Sequence, residues 1–158
     1  VTNPPIDPFR EKVVMSLQCP IGPEANILKP DPIQVHRLWL KQPVISIGDL
    51  EVLKMTKHRN WSAHVIDTTF PAKEGTQGFL KKLNSICEEA EKASKTNQIV
   101  ILSDRKAGVE HVPVSSLLSL GAVHHHLIET RNRSKVALVV ESAECREVHH
   151  ICVLLGYG

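Results

Sequence analysis

Three short polar clusters carry the chemistry this chain could attempt: Asp67-Thr68-Thr69, Ser103-Asp104-Arg105 and Glu141-Ser142. Each follows a run of mostly apolar residues rich in β-branched side chains, as in a strand buried in a sheet. Parallel α/β layers place their substrates at the carboxyl ends of the strands. Asp67, Asp104, Arg105 and Glu141 would there line the site of a self-contained small-molecule enzyme. The plainer reading of the same residues is that Asp and Ser cap helices and that Arg105 pairs with a neighbouring carboxylate.

Histidine offers a second candidate chemistry. His124-His125-His126 and His149-His150 suggest metal at first sight. Successive helical residues are rotated by about 100°, so three adjacent side chains fan over more than half the helix and cannot converge on one ion. Helical metal ligands take i,i+3 or i,i+4 spacing, and these do not. Packing and interface roles fit them better. The phosphate-cradling sequences G-x-G-x-x-G and Walker A are absent, as is G-x-S-x-G. Trp39 and Trp61 read as core or interface anchors, since aromatic residues make up only 4% of the chain.

The positioning elements follow from periodicity. Ala63–Thr69, Gln98–Ser103 and Lys135–Ser142 read as strands. Thr76–Ser94 reads as a helix with Phe79, Leu80, Leu83, Ile86, Cys87 and Ala90 on one stripe, terminated by a left-handed Asn97. Ser115–Thr130 reads as a second helix, with Leu120, Val123 and Leu127 on one side. After the third strand, Ser142 is the expected N-cap of a last helix, with Glu144 in its first turn. Val148, Ile151, Cys152 and Leu155 would form its buried stripe, and Gly156 its C-cap. About three βα units result, a partial parallel layer that is either Rossmann-like or half a barrel.

Eight of the ten prolines fall in the first 43 residues. Without an N–H and with φ fixed, they forbid a long helix or a central strand there. Residues 1–62 therefore read as a Pro-rich extended segment wrapping the βα repeats of 63–158, with a short strand near His36–Leu40 and a short helix at Asp49–Met55.

Bulk composition sets the outer bounds. The 158 residues suffice for one domain with a real core, and 42% apolar with 23% charged residues fits a soluble globular protein. A net charge of +2 points to neither nucleic acid nor a membrane surface. Cys87 and Cys152 fall on the expected apolar stripes, so the four cysteines read as reduced thiols of an intracellular protein. Val1 is no initiator Met, no signal peptide is present, and the sheet would have open edges and uncovered faces unless more chain completes it. The sequence is therefore expected to be an excerpt of a longer polypeptide.

Five collinear blocks resemble one family. They are VTNPPIDPFREKVVMSL at Val1–Leu17, IGPEANIL at Ile21–Leu28, LSDR at Leu102–Arg105, VSSLLSLGAVHHHL at Val114–Leu127 and VESAECREVHH at Val140–His150. They are similar to the central domain of the glutamate synthase large subunit, closest to the long single-polypeptide forms. Ala25 and Ile151 depart mildly from the family's usual Gly and Phe.

The resemblance implies a parent enzyme that makes two L-glutamates from L-glutamine and 2-oxoglutarate with reducing equivalents. An amidotransferase domain would release ammonia, and a barrel domain carrying FMN and a 3Fe-4S cluster would use it. Electrons would come from NAD(P)H through FAD, or from ferredoxin, by way of an electron-donor domain or subunit. The central domain would lie between these centres, bind no cofactor or metal of its own, carry no catalytic residue, and help wall an ammonia tunnel. Thr2 and Asn3, held by a stiff Pro4-Pro5, are the expected tunnel-lining residues. No nucleic-acid or membrane partner is implied, and the compartment would be the cytoplasm or an organelle such as a plastid or mitochondrion.

Overall fold

Strand β5 (Ile99–Ser103) is the centre of the molecule: all five of its residues are buried. A strand with apolar side chains on both faces must be covered on both. In the computed structural model, which describes residues 7–158, β5 lies between β3 (Ala63–Asp67) and β7 (Ala137–Glu141) in a parallel three-stranded sheet. The register is Asp67, Ser103, Glu141 in line at the carboxyl end. The α/β layer expected from the sequence is present, as an open sheet rather than a closed barrel.

Alternation along the strands sends successive side chains to opposite faces. Ile66, Val100, Leu102, Leu138 and Val140 face one core. It is shared with α3 (Gly75–Ala93) and α4 (Ser116–Glu129), the helices that cross from β3 to β5 and from β5 to β7. Ile86 and Ala90 from α3, and Leu120, Val123 and Leu127 from α4, fill it. Leu80, expected on the α3 stripe, is instead exposed. Ile99, Ile101 and Val139 face a second core, closed by Leu50 and Leu53 of α2 (Ile47–Lys54) with Ile21, Ile45 and Trp61. The second face is therefore not bare, as the sequence alone suggested. Ser46 begins α2 with a capping box: Asp49 N–H donates to Ser46 Oγ at 3.1 Å, and Ser46 N–H to Asp49 Oδ2 at 3.3 Å.

Proline holds the N-terminal segment to short elements, as expected. These are a helix α1 (Pro8–Val14) and a hairpin of β1 (Cys19–Ile21) with β2 (Leu38–Leu40). Gly22 follows β1 with φ +136°, directly against the Trp61 indole, where a Cβ has no room.

The expected strand Ala63–Thr69 is broken at Thr68. Asp67 Oδ1 accepts both the Thr69 N–H and the Thr69 hydroxyl at 2.8 Å, which turns the chain out of the sheet. The next three residues, β4 (Thr69–Pro71), pair antiparallel with β6 (His111–Pro113) instead.

The last helix also departs from expectation. α5 spans Val148–Tyr157, so Ser142 caps nothing, Glu144 lies in the preceding loop, and Gly156 is inside the helix. Its partly buried residues include Ile151, Val153 and Leu154, with Leu154 packed on the α3–α4 core. Val148, Cys152 and Leu155 are exposed. The segment is apolar nearly all round, so periodicity does not choose a face.

Asn97 is not left-handed; Arg131 is, at φ 58°. It ends α4 in a Schellman motif: Asn132 N–H donates to Leu127 O at 2.7 Å and Arg131 N–H to Ile128 O at 3.0 Å. A side chain at that φ costs energy that glycine avoids. Arg131→Gly is expected to stabilise the protein by about 1 kcal/mol, read as a higher denaturant midpoint. An unchanged or lower midpoint would contradict this account of the α4 terminus.

Candidate functional site

The register of the parallel strands brings the polar clusters together. Asp67, Ser103 and Glu141 are lateral neighbours at the carboxyl edge, with Asp104, Arg105 and Ser142 one step beyond. Glu141 is the hub. Its carboxylate accepts from Ser103 Oγ at 2.7 Å, Arg105 Nε at 2.6 Å and Lys54 Nζ at 3.0 Å, and its side chain is 11% exposed. Lys54 bridges onward to Glu51 at 2.9 Å. Lys54 stands on the last turn of α2, 87 positions before Glu141, so one ion pair ties the N-terminal segment to the sheet.

Burial alone would raise the Glu141 pKa. The hydrogen bonds from Ser103, Arg105 and Lys54, with the Lys54 charge, more than offset it and hold the group at about 2. Lys54 is held above its ordinary range, first by its bond to Glu51 and then, against burial, by Glu141. The same carboxylate raises Arg105. At Asp67, burial is again outweighed, by the Thr69 bonds and by Lys106 at 3.3 Å, and the pKa is lowered. Asp104 Oδ2 accepts the Ser142 hydroxyl at 2.6 Å and the Ala143 N–H at 3.0 Å. Every group in the expected small-molecule site is thus placed at one end of the sheet, and each is engaged with another part of the chain. Arg105 does pair with a neighbouring carboxylate; the Asp and Ser residues anchor loops rather than cap helices.

Two participants escape sequence reasoning. Lys54 is one, because nothing local marks a lysine for a partner so distant in the chain. Glu144 is the other. Its carboxylate takes the Ser116 N–H at 2.7 Å and the Ser116 hydroxyl at 2.5 Å, so it sits at the N-terminus of α4 rather than of its own helix. That is where a cofactor phosphate would bind in a fold of this type, and a carboxylate of the chain already fills it.

The histidines take separate partners, although the His124 and His125 rings meet edge to face at 5.3 Å. His124 Nδ1 accepts from Arg133 Nε at 3.0 Å, His126 pairs with Glu91 at 3.0 Å, and His125 is exposed. His150 Nδ1 accepts the Arg146 N–H at 3.2 Å. Among the described residues no three His, Cys, Asp or Glu side chains gather into a metal-holding group. All four cysteines are free thiols, and Cys152 is exposed rather than buried. Burial raises Cys87 and Cys145, the opposite of an activated nucleophile. No helix of the described residues is long and apolar enough to cross a membrane. Thr2 and Asn3 lie outside the described residues.

A largely apolar groove of about 860 Å³ follows the outer edge of β7, between α2 and α5, and Asp104, Arg105 and Glu141 of the charged cluster line part of it.

A family model described as the glutamate synthase central domain matches residues 1–158. Glutamate synthase (NADH) of Schizosaccharomyces pombe is 45% identical over 161 residues, covering 100% of this chain and 8% of the relative. The large chain of glutamate synthase (NADPH) from Bacillus subtilis is 39% identical over 159 residues, covering 100% of this chain and 10% of the relative. A ferredoxin-dependent glutamate synthase from Pyropia yezoensis is 39% identical over 161 residues, with the same shares. The chain thus spans a tenth or less of the length of these relatives.

The Glu141 hub makes stability depend on acid in a defined direction. A carboxylate whose folded pKa is depressed contributes fully above its ordinary value of 4.5, and that contribution is lost as pH falls towards about 2. The shift corresponds to on the order of 3 kcal/mol. Glu141→Gln should therefore flatten the fall of unfolding free energy across that window, measured by denaturant titrations at a series of pH values. An unchanged slope would mean that the hub is not formed in solution.

Proposed function

Because the chain belongs to the glutamate synthase central-domain family, we propose that it is a scaffold within a glutamate synthase, and that it holds two remote reaction centres in register without reacting itself. The observation that carries this reading is the closed state of the strand-end cluster. Glu141, Asp67 and Asp104 are each bound to two or more groups of the chain itself. A general acid or base must offer its proton or lone pair to substrate, and these offer theirs to Ser, Thr, Arg, Lys and backbone donors.

The parent reaction we assign is conversion of L-glutamine and 2-oxoglutarate to two L-glutamates with reducing equivalents. An amidotransferase domain and an FMN-binding barrel of the same polypeptide would be this segment's partners. FMN, the 3Fe-4S cluster and the electron source, NAD(P)H with FAD or ferredoxin, belong in this reading to those other parts. In support of this reading, the Glu144 carboxylate already takes the Ser116 N–H at the start of α4, and the four cysteines stand on separate elements. Residues 1–62 serve as the wrapping segment and 63–158 as the βα layer, with the Lys54–Glu141 pair as their tie.

Ammonia is small and readily lost to solvent, so a walled passage between its source and its acceptor has a physical purpose. We place Thr2 and Asn3 along that passage, offering hydroxyl and carbonyl acceptors while Pro4 and Pro5 stiffen the backbone. In the full-length enzyme Thr2→Val should uncouple the two activities, with glutamine hydrolysis exceeding glutamate synthesis. Stoichiometric turnover by that variant would remove Thr2 from the passage.

A further inference from the structure

A second, smaller cavity lies at the other end of β5 from the Glu141 hub. Its volume is about 260 Å³, and Ile99, the first residue of β5, lines it together with Leu53 of α2 and Leu38 of β2. Trp61 forms a wall. The indole is fixed from behind: it packs against the second core, and Gly22 lies so close that a Cβ there would clash with it. One side of the cavity is therefore a rigid apolar and aromatic surface.

The rim has the opposite character. His36, Arg37, His58 and Arg59 all line the cavity, and no Asp or Glu does. Arg37 is already engaged. Its Nη1 donates to Glu24 at 3.3 Å and to Gly22 O at 3.5 Å, and its Nε to Gln34 O at 3.4 Å. The other three are not. Among the described residues, the Arg59 guanidinium and the His36 and His58 imidazoles make no hydrogen bond or ion pair. The His36 ring only rests against Trp61, with centroids 5.5 Å apart. Three unused donor-bearing side chains, from two separate stretches of chain, thus meet over one apolar floor.

The backbone at the rim is strained. His58–Asn60 is a single tight turn in which Arg59 (φ 51°, ψ 39°) and Asn60 (φ 66°) are both left-handed. Two successive non-glycine residues in that region cost energy that glycine would avoid. Strain of this kind gathers where a side chain is held ready for a ligand. Here the turn puts two sequence neighbours, His58 and Arg59, on the same cavity.

A phosphate monoester matches these features. Its phosphate carries three strong acceptor oxygens and nearly two negative charges at neutral pH. A guanidinium takes such a group as a fork, and each imidazole can donate an N–H to it. The floor and the Trp61 wall call for an apolar or planar body. The volume is below the roughly 300 Å³ at which pockets for drug-sized ligands begin, so that body is the size of one ring.

We propose that this cavity binds a small phosphate monoester, with its phosphate on Arg59, His36 and His58 and its apolar or planar body against Trp61 and Leu53. The site goes beyond the scaffold reading and rests on neither the strand-end cluster nor the passage for ammonia.

Titration calorimetry of the full-length enzyme with phenyl phosphate tests it. Arg59→Gly removes the guanidinium and relieves the turn, so its Tm should be unchanged or higher. Its affinity for phenyl phosphate should fall at least about tenfold. His58→Gln should weaken binding as well, and it decides alone if the Arg59 variant does not fold. Undiminished affinity in either folded variant would overturn the proposal, as would the absence of phenyl phosphate binding by the wild type at millimolar concentration. Inorganic phosphate bound as tightly as phenyl phosphate would also overturn it, because the apolar wall would then contribute nothing. Benzoate bound as tightly would do the same, because the phosphate would then not be recognised.

Discussion

A parallel strand with β-branched side chains on both faces tolerates water on neither, and the position of nearly every other element follows from satisfying β5. α3 and α4 cover one face because their apolar stripes have nowhere else to go. α2 and Trp61 cover the other. The Pro-rich chain cannot pair into the sheet, but it can be pulled across it as short pieces, and that is how the second face is closed.

Burial of that kind is non-directional, so it does not by itself fix how far α2 slides over the sheet. The ion pair between Lys54 and Glu141 supplies the direction. It is worth more than a surface pair because both side chains are largely shielded and the carboxylate has further donors in Ser103 and Arg105. The arrangement places strong electrostatics where related architectures place chemistry, and uses them to hold elements together. A strongly shifted carboxylate at a strand end is thus compatible with a positioning role, and partner geometry decides between the two readings.

Much of this was legible in the residues. The β/α alternation, most of the apolar faces of α3 and α4 and the brevity of the N-terminal elements all follow from period and proline. What was not legible depended on long-range contacts. No local pattern assigns Lys54 to Glu141 or Glu144 to Ser116. The Asp67 side chain breaks a strand that apolar content alone would continue, and Arg131 takes a left-handed turn usually given to glycine. α5 misled because an almost uniformly apolar helix carries no stripe to read. The collinear blocks conveyed kinship, which periodicity could not.

Glu144 has a consequence for how this layer responds to its surroundings. In many folds of this architecture the positive end of a helix waits for a nucleotide or phosphate, and the folded state gains stability in proportion to the logarithm of that ligand's concentration. Here the anion is delivered from within the polypeptide, at the high effective concentration of a tethered group. The start of α4 is therefore met by an anion that comes with the fold itself, at any concentration of free phosphate or nucleotide.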